Sequence, residues 1–261
     1  ITKRLNSNTI LIGVPNKLLL NQWIKVISNI FINTPLLCVC EGINIKYITK
    51  FLKKNIKKCV IVSTYSSIYK VVKSCIESNF LFDMKILDEV HHITTCNLEE
   101  DNSKKYIQVL IVPSLKQLSL TATLKEVESM DKNISVISNS DKGYFGEIID
   151  RKCLLWAINN NIVCDYVIQT IVTPINIKDE NLLKFDIKEE YKILFLSAFV
   201  ALKSIFEGHS HHLLIYSNSK NNSSILVQYI KMLLEDEYFY IPELYYSRYH
   251  SEIHSLTQKQ I

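Results

Sequence analysis

Short apolar runs recur along this chain, separated by longer amphipathic stretches, and that rhythm constrains the fold more than any other feature. Runs of this length suit strands buried on both faces, and the intervening helical periodicity suits crossover helices, so the pattern is that of a parallel α/β fold. It predicts strands at Ile10–Val14, Leu36–Cys40, Cys59–Ser63, Met84–Asp88 and Gln117–Thr121. Helices are expected at about Leu18–Phe31, Ile45–Asn55, Ser67–Asn79 and Lys104–Val112. Pro15 ends the first strand, and Leu18, Trp23, Ile24 and Ile27 then follow at helical spacing.

After a polar, irregular stretch from Glu126 to Lys142, the alternation starts again. A helix near Lys152–Asn160 and a strand at Ile162–Val172 are expected, then a long helix over Ile187–Phe206. A strand at Leu213–Tyr216, a helix at Ser223–Leu234 and a strand at Glu243–Tyr246 would complete the second half. A boundary near Asp150 divides the chain into residues 1–150 and 151–261.

Composition excludes several classes. Hydrophobic residues make up 48% and charged residues 21% of 261 positions, enough for a packed core. Mean hydropathy is +0.09, yet no apolar run reaches the roughly 18 residues of a membrane span, so no membrane role is expected. Seven cysteines without a C-x-x-C pair suit a reduced, intracellular chain, cytoplasmic or nuclear. Glycine is scarce, at five, while Ile, Lys and Asn abound, as an AT-rich genome such as that of a large DNA virus would encode. A net charge of +4 is compatible with a polyanionic partner, and the basic run Lys50–Lys58 (KFLKKNIKK) reads as a solvated helix face.

The residues that carry chemistry stand at strand ends. Asp88-Glu89-Val90-His91 directly follows the apolar run Met84–Leu87. Two acids there sit at the carboxyl edge of a parallel sheet, where α/β folds bind ligands. Adjacent carboxylates suit nucleotide hydrolysis, one holding a divalent cation and the other orienting water. Further pieces flank this one in order: Val14-Pro15-Asn16-Lys17 with Gln22-Trp23, then Ser63-Thr64-Tyr65, then Leu120-Thr121-Ala122-Thr123, then Ile215-Tyr216-Ser217-Asn218-Ser219.

This ordered set resembles the superfamily 2 helicases, over nearly the whole chain. The VP…QW segment is similar to their motif Ia, STY to motif Ib, DEVH to motif II, TAT to motif III and IYSNS to motif IV. The flavour is DExH, like that of excision-repair and restriction-type DNA translocases. Tyr144 to Tyr166 also resembles the passage leading those proteins into their second lobe. The resemblance implies two RecA-like lobes, the first nearly complete and the second partial, in an ATP-dependent motor, an ATP hydrolase by family. Asp88 would bind Mg²⁺, Glu89 would polarise the attacking water, and His91, Thr121 and Thr123 would couple the nucleotide site to the nucleic acid. Pro15, Lys17, Thr64, Tyr65 and Asn218 would line the strand-binding surface, with DNA preferred over RNA.

The chain departs from the family pattern at both ends. No G-x-x-x-x-G-K-[ST] loop occurs in it, and motifs V and VI are missing. The expectation is a piece of a larger multidomain parent, cut before the phosphate loop and before the arginine finger, that hydrolyses no ATP by itself. A non-catalytic helicase-like module that binds nucleic acid or serves as a scaffold is the alternative. Neither His91, His92 and Cys96 nor His209, His211 and His212 has a structural-zinc spacing, and no Cys–His pair is marked as a nucleophile.

Overall fold

The computed structural model describes residues 2, 4–94, 105–127, 137–168, 185 and 187–248. It divides into two compact units, Ile1–Asp165 and Tyr166–Ile261.

In the first unit, strands β1 (Thr9–Val14), β2 (Leu36–Val39), β3 (Cys59–Thr64), β4 (Phe82–Leu87) and β5 (Ser114–Ser119) form one sheet in the order β2-β3-β1-β4-β5. Every pairing is parallel, so all five carboxyl ends share one edge. β1 and β3 are buried at every position, which explains their unbroken apolar sequences. Alternate residues feed opposite cores. Leu11 and Ile61 face a cluster with Ile48, Leu52, Val71 and Cys75, whereas Ile10, Ile12, Val60 and Val62 face Leu20 and Ile27.

The helices α1 (Lys17–Ile30), α2 (Ile45–Lys54) and α3 (Ile68–Ser78) are the crossovers. Asn16 and Asn44 start the first two by accepting backbone N–H bonds from Leu19 and Lys46. Asp83 ties the amino ends of β1 and β4 together, its carboxylate accepting from the N–H groups of Asn8 and Thr9. Among the described residues this unit also has the shorter helices α4 (Lys142–Phe145) and α5 (Leu154–Asn159).

The helix expected at Lys104–Val112 is helical only over residues 105–107 and then turns, residue 104 lying outside the described set. Two causes are visible. Pro113 disfavours helix just before it, and the buried Lys85 ammonium takes the carbonyls of Val109, Leu110 and Val112.

Among the described residues the second unit contains the helical pair α6 (Lys192–Phe206) and α7 (Lys220–Glu235), closed by Phe195, Leu202, Ile230, Leu233 and Phe239. The strands expected in the second half of the chain are not formed among the described residues: 162–168, 213–216 and 243–246 carry no ladder, and 169–172 lie outside the described set. Apolar sequence makes a strand only where a neighbour satisfies its N–H and C=O groups. Here Leu214 is 74% and Tyr216 86% exposed. No helix among the described residues is long and apolar enough to cross a membrane.

Lys85 gives this fold a testable signature. Burial lowers its pKa from 10.5 to about 8. The unfolded chain therefore holds the extra proton between these values, and Lys85 makes stability rise as pH climbs from about 8 towards 10.5. Lys85→Met should abolish that rise and cost about 1–3 kcal/mol near pH 7 in urea unfolding, because it strands buried carbonyls.

Candidate functional site

The site is built where β4 ends. The Asp88 N–H donates to the Gly13 carbonyl at 2.9 Å, and the Glu89 N–H donates to Asp88 Oδ1 at 3.0 Å. Trp23 Nε1, on α1, donates to Asp88 Oδ2 at 2.7 Å. The Tyr65 hydroxyl, just past β3, donates to the Asp88 carbonyl. Every polar group of Asp88 is thus engaged, and each carboxylate oxygen keeps a further lone pair.

Tyr65 reaches Asp88 only because β1 carries glycine at the crossing. A Cβ on Gly13 would stand 2.8 Å from Tyr65 Cε1, too close for any real contact. Burial raises the Tyr65 phenol well above its ordinary pKa, so it remains a donor.

Glu89 follows with φ 53° and ψ 50°, the left-handed region that non-glycine residues seldom occupy. Its Oε2 is buried without a hydrogen-bond partner. That oxygen lies 3.2 Å from His91 Nδ1, but the ring nitrogen is in hydrogen-bond geometry with Thr121 Oγ1 at 3.1 Å. Thr121 Oγ1 in turn donates to the Thr123 carbonyl and accepts the Thr123 N–H. A hydroxyl has one proton, so with Thr123 as its acceptor His91 carries hydrogen on Nδ1. Backbone bonds zip the same two strand ends: Leu120 N–H to the Leu87 carbonyl and Val90 N–H to the Leu120 carbonyl. His92 stacks on His91, ring centroids 4.4 Å apart, and its pKa is lowered by burial and by that neighbour.

The structure therefore brings Asp88, Glu89, His91, Thr121 and Thr123 together. Of the five expected strand-binding residues, three have buried side chains and two are exposed. Pro15, Thr64 and Tyr65 are buried, Tyr65 fully, and Tyr65 serves the Asp88 backbone from inside. The STY sequence shows hydroxyls but not that the ring fills the space above Gly13. Lys17 is exposed and paired with Glu41 at 3.0 Å, which holds its pKa above the ordinary value. Asn218 is exposed in the second unit. Trp23 was legible as an apolar helix position and as part of the VP…QW segment; nothing in the sequence marks its indole N–H as a partner of Asp88. Among the described residues no group of three or more His, Cys, Asp or Glu is placed to hold a metal, and Cys96 lies outside them.

An all-parallel sheet with acids after one strand and hydroxyls after its neighbour is consistent with a superfamily 2 helicase-type domain. Residues 1–126 match the family described as Type III restriction enzyme, res subunit, which is of that type. The chain is similar to the ATP-dependent Type ISP restriction-modification enzyme LlaBIII bound to DNA, at 18% identity and a TM-score of 0.66. That match covers 88% of this chain and 18% of LlaBIII, and shows a shared fold. A nuclease-deletion mutant of the Type ISP enzyme LlaGI, solved with a DNA substrate mimic, matches at 24% identity and TM-score 0.46, covering 59% of this chain and 14% of LlaGI. The Hef helicase domain of Pyrococcus furiosus matches at 13% identity and TM-score 0.35, covering 88% and 44%. The chain spans less than a fifth of either restriction enzyme. No curated protein matches it.

Two substitutions probe the geometry. Trp23→Phe removes the bond to the Asp88 carboxylate and should lower stability by about 1.5–3 kcal/mol, measured by denaturant unfolding. Glu89→Asn should act oppositely. Asparagine tolerates the left-handed region, and the unpartnered buried oxygen disappears, so Tm should rise by the equivalent of about 1 kcal/mol.

Proposed function

We propose that this chain is part of an ATP-dependent, helicase-type motor that moves on DNA. The observation that carries the reading is the junction of two strand ends, where His91 joins Thr121 beside Asp88 and Glu89. Residues 1–150 would be the first RecA-like lobe and 151–261 the start of the second; the division between the two compact units falls later, after Asp165.

The residues fit a cation and a nucleotide on their own chemistry. Asp88 is held from four sides yet keeps free lone pairs, and would hold Mg²⁺. Glu89 Oε2 is buried and accepts no hydrogen bond, the His91 N–H 3.2 Å away being turned to Thr121, and a water molecule would satisfy it. Magnesium-bound ATP, when present, supplies the phosphoanhydride whose cleavage releases the free energy for movement. Glu89 would orient the attacking water and take up its proton. His91 and Thr121 would pass a shift of the β4 end to the β5 end, since one hydrogen bond and the backbone zipper join them. Lys17 would contact phosphate at the carboxyl edge, exchanging Glu41 for the nucleic acid. DNA is preferred over RNA because LlaBIII, whose fold the chain shares, is bound to DNA.

The test is twofold. The chain should bind DNA with an affinity that falls steeply with salt, and Lys17→Gln should make the salt slope shallower by about 1. Absence of binding even at low salt would sink the reading. ATP turnover should be undetectable for these 261 residues, which contain no phosphate-loop motif. Steady DNA-stimulated hydrolysis, lost in Glu89→Gln, would show that the chain grips the phosphates by other means.

A further inference from the structure

Charge is distributed very unevenly along the chain. Residues 42–76 contain eight lysines and no acid, a formal +8 in a chain whose total is +4. The rest of the protein is therefore net acidic, at −4, and the excess is local.

Much of this charge forms a row on one helix. Lys46, Lys50 and Lys53 recur at i, i+4 and i+7 on α2, with Lys54 beside them, while Ile48, Thr49 and Leu52 occupy the buried side. Lys57 and Lys58 follow in the turn before β3, Lys58 lying beside Asn8 and Ile30. All six are exposed. None lies within ion-pair distance of a described carboxylate. The acids that flank the segment are committed elsewhere, Glu41 to Lys17 and Glu77 to the Thr49 hydroxyl.

A solvated helix face normally mixes signs, because like charges one turn apart repel. Here Lys46–Lys50 and Lys50–Lys54 are both such pairs, and no acid relieves either. The helix tolerates that repulsion through its buried side, and a row of anions would remove it. Successive lysines rise by about 6 Å over four residues, and the helix is about 15 Å long, a spacing suited to a linear polyanion.

We propose that the exposed side of α2 is a docking surface for the phosphodiester backbone of nucleic acid, separate from the carboxyl-edge site. The topology supports a distinct place. α2 starts at the carboxyl edge after β2 and runs back towards the amino edge, beside the strand at the far end of the sheet from β5. Its lysines offer no planar or base-reading group, so binding is independent of sequence. Charge release supplies the affinity.

The experiment compares the chain with a Lys46→Gln/Lys50→Gln/Lys53→Gln/Lys54→Gln variant, glutamine having nearly the helix propensity of lysine. Binding to a labelled duplex and to its single strand is followed by fluorescence anisotropy across a salt series. The expected result is an affinity lower by roughly tenfold or more, with a duplex salt slope shallower by about 3–4. A loss confined to duplex or to single strand identifies which form docks. Unchanged affinity and slope, with far-ultraviolet circular dichroism intact, overturns the proposal. So does unchanged nucleic-acid binding alongside lost binding to phosphatidylserine vesicles, which would mark an anionic-membrane surface. If the fourfold variant loses helix, Lys50→Gln/Lys54→Gln alone should reduce the slope by about 2.

Discussion

The hold on Asp88 is the constraint around which the first unit is arranged. Its N–H reaches β1, its carbonyl receives the Tyr65 hydroxyl after β3, and its carboxylate receives the indole of α1. One residue at the end of β4 thus ties three separate elements, and moving any of them would move the carboxylate. Each bond is worth little alone, on the order of 1 kcal/mol, or somewhat more where the acceptor is charged. Their joint effect is positional: Asp88 has no free rotamer left to explore. Gly13 is part of the same arrangement although it touches no ligand, because any side chain there would expel the Tyr65 ring.

Strain is concentrated one residue further on. Glu89 combines a left-handed backbone with a buried, unpartnered oxygen, and either feature alone costs stability. The four-sided hold on Asp88 and the zipper between Leu87, Leu120 and Val90 over-determine the turn and keep it in place. Such a combination is expected where a residue is retained for reactivity rather than for folding.

Much of the first unit was legible in the sequence because its signals are local. β1 and β3 occupy their expected places within a residue, since a doubly buried strand needs an unbroken apolar run. The grouping of Asp88, Glu89, His91 and Thr121 was also legible, because parallel topology puts all strand ends on one edge. What was hidden depends on contacts distant in sequence. Trp23 looks like any amphipathic core residue, and its bond to Asp88 spans 65 positions. Tyr65 looked like an exposed aromatic until the vacancy at Gly13 gave its ring a place. The runs in the second unit have the same apolar pattern as β1, yet pairing requires a neighbour that periodicity cannot specify.

Parallel topology also keeps the acidic pair after β4 and the basic helix α2 apart on one small sheet. The order β2-β3-β1-β4-β5 puts three strand spacings between β2, which α2 follows, and β4, which carries Asp88. At roughly 4.8 Å per spacing that is about 14 Å, longer than the Debye length of about 8–10 Å at moderate salt. The lysines of α2 therefore contribute little to the field at Asp88 and Glu89, and a polyanion lying along them need not compete with a nucleotide there. Had the basic segment followed β5 instead, its charge would stand beside the acidic pair and neutralise it. Sequence order alone does not reveal this separation, because residues 42–76 lie between β1 and β4 in the chain while their helix flanks the sheet's far end.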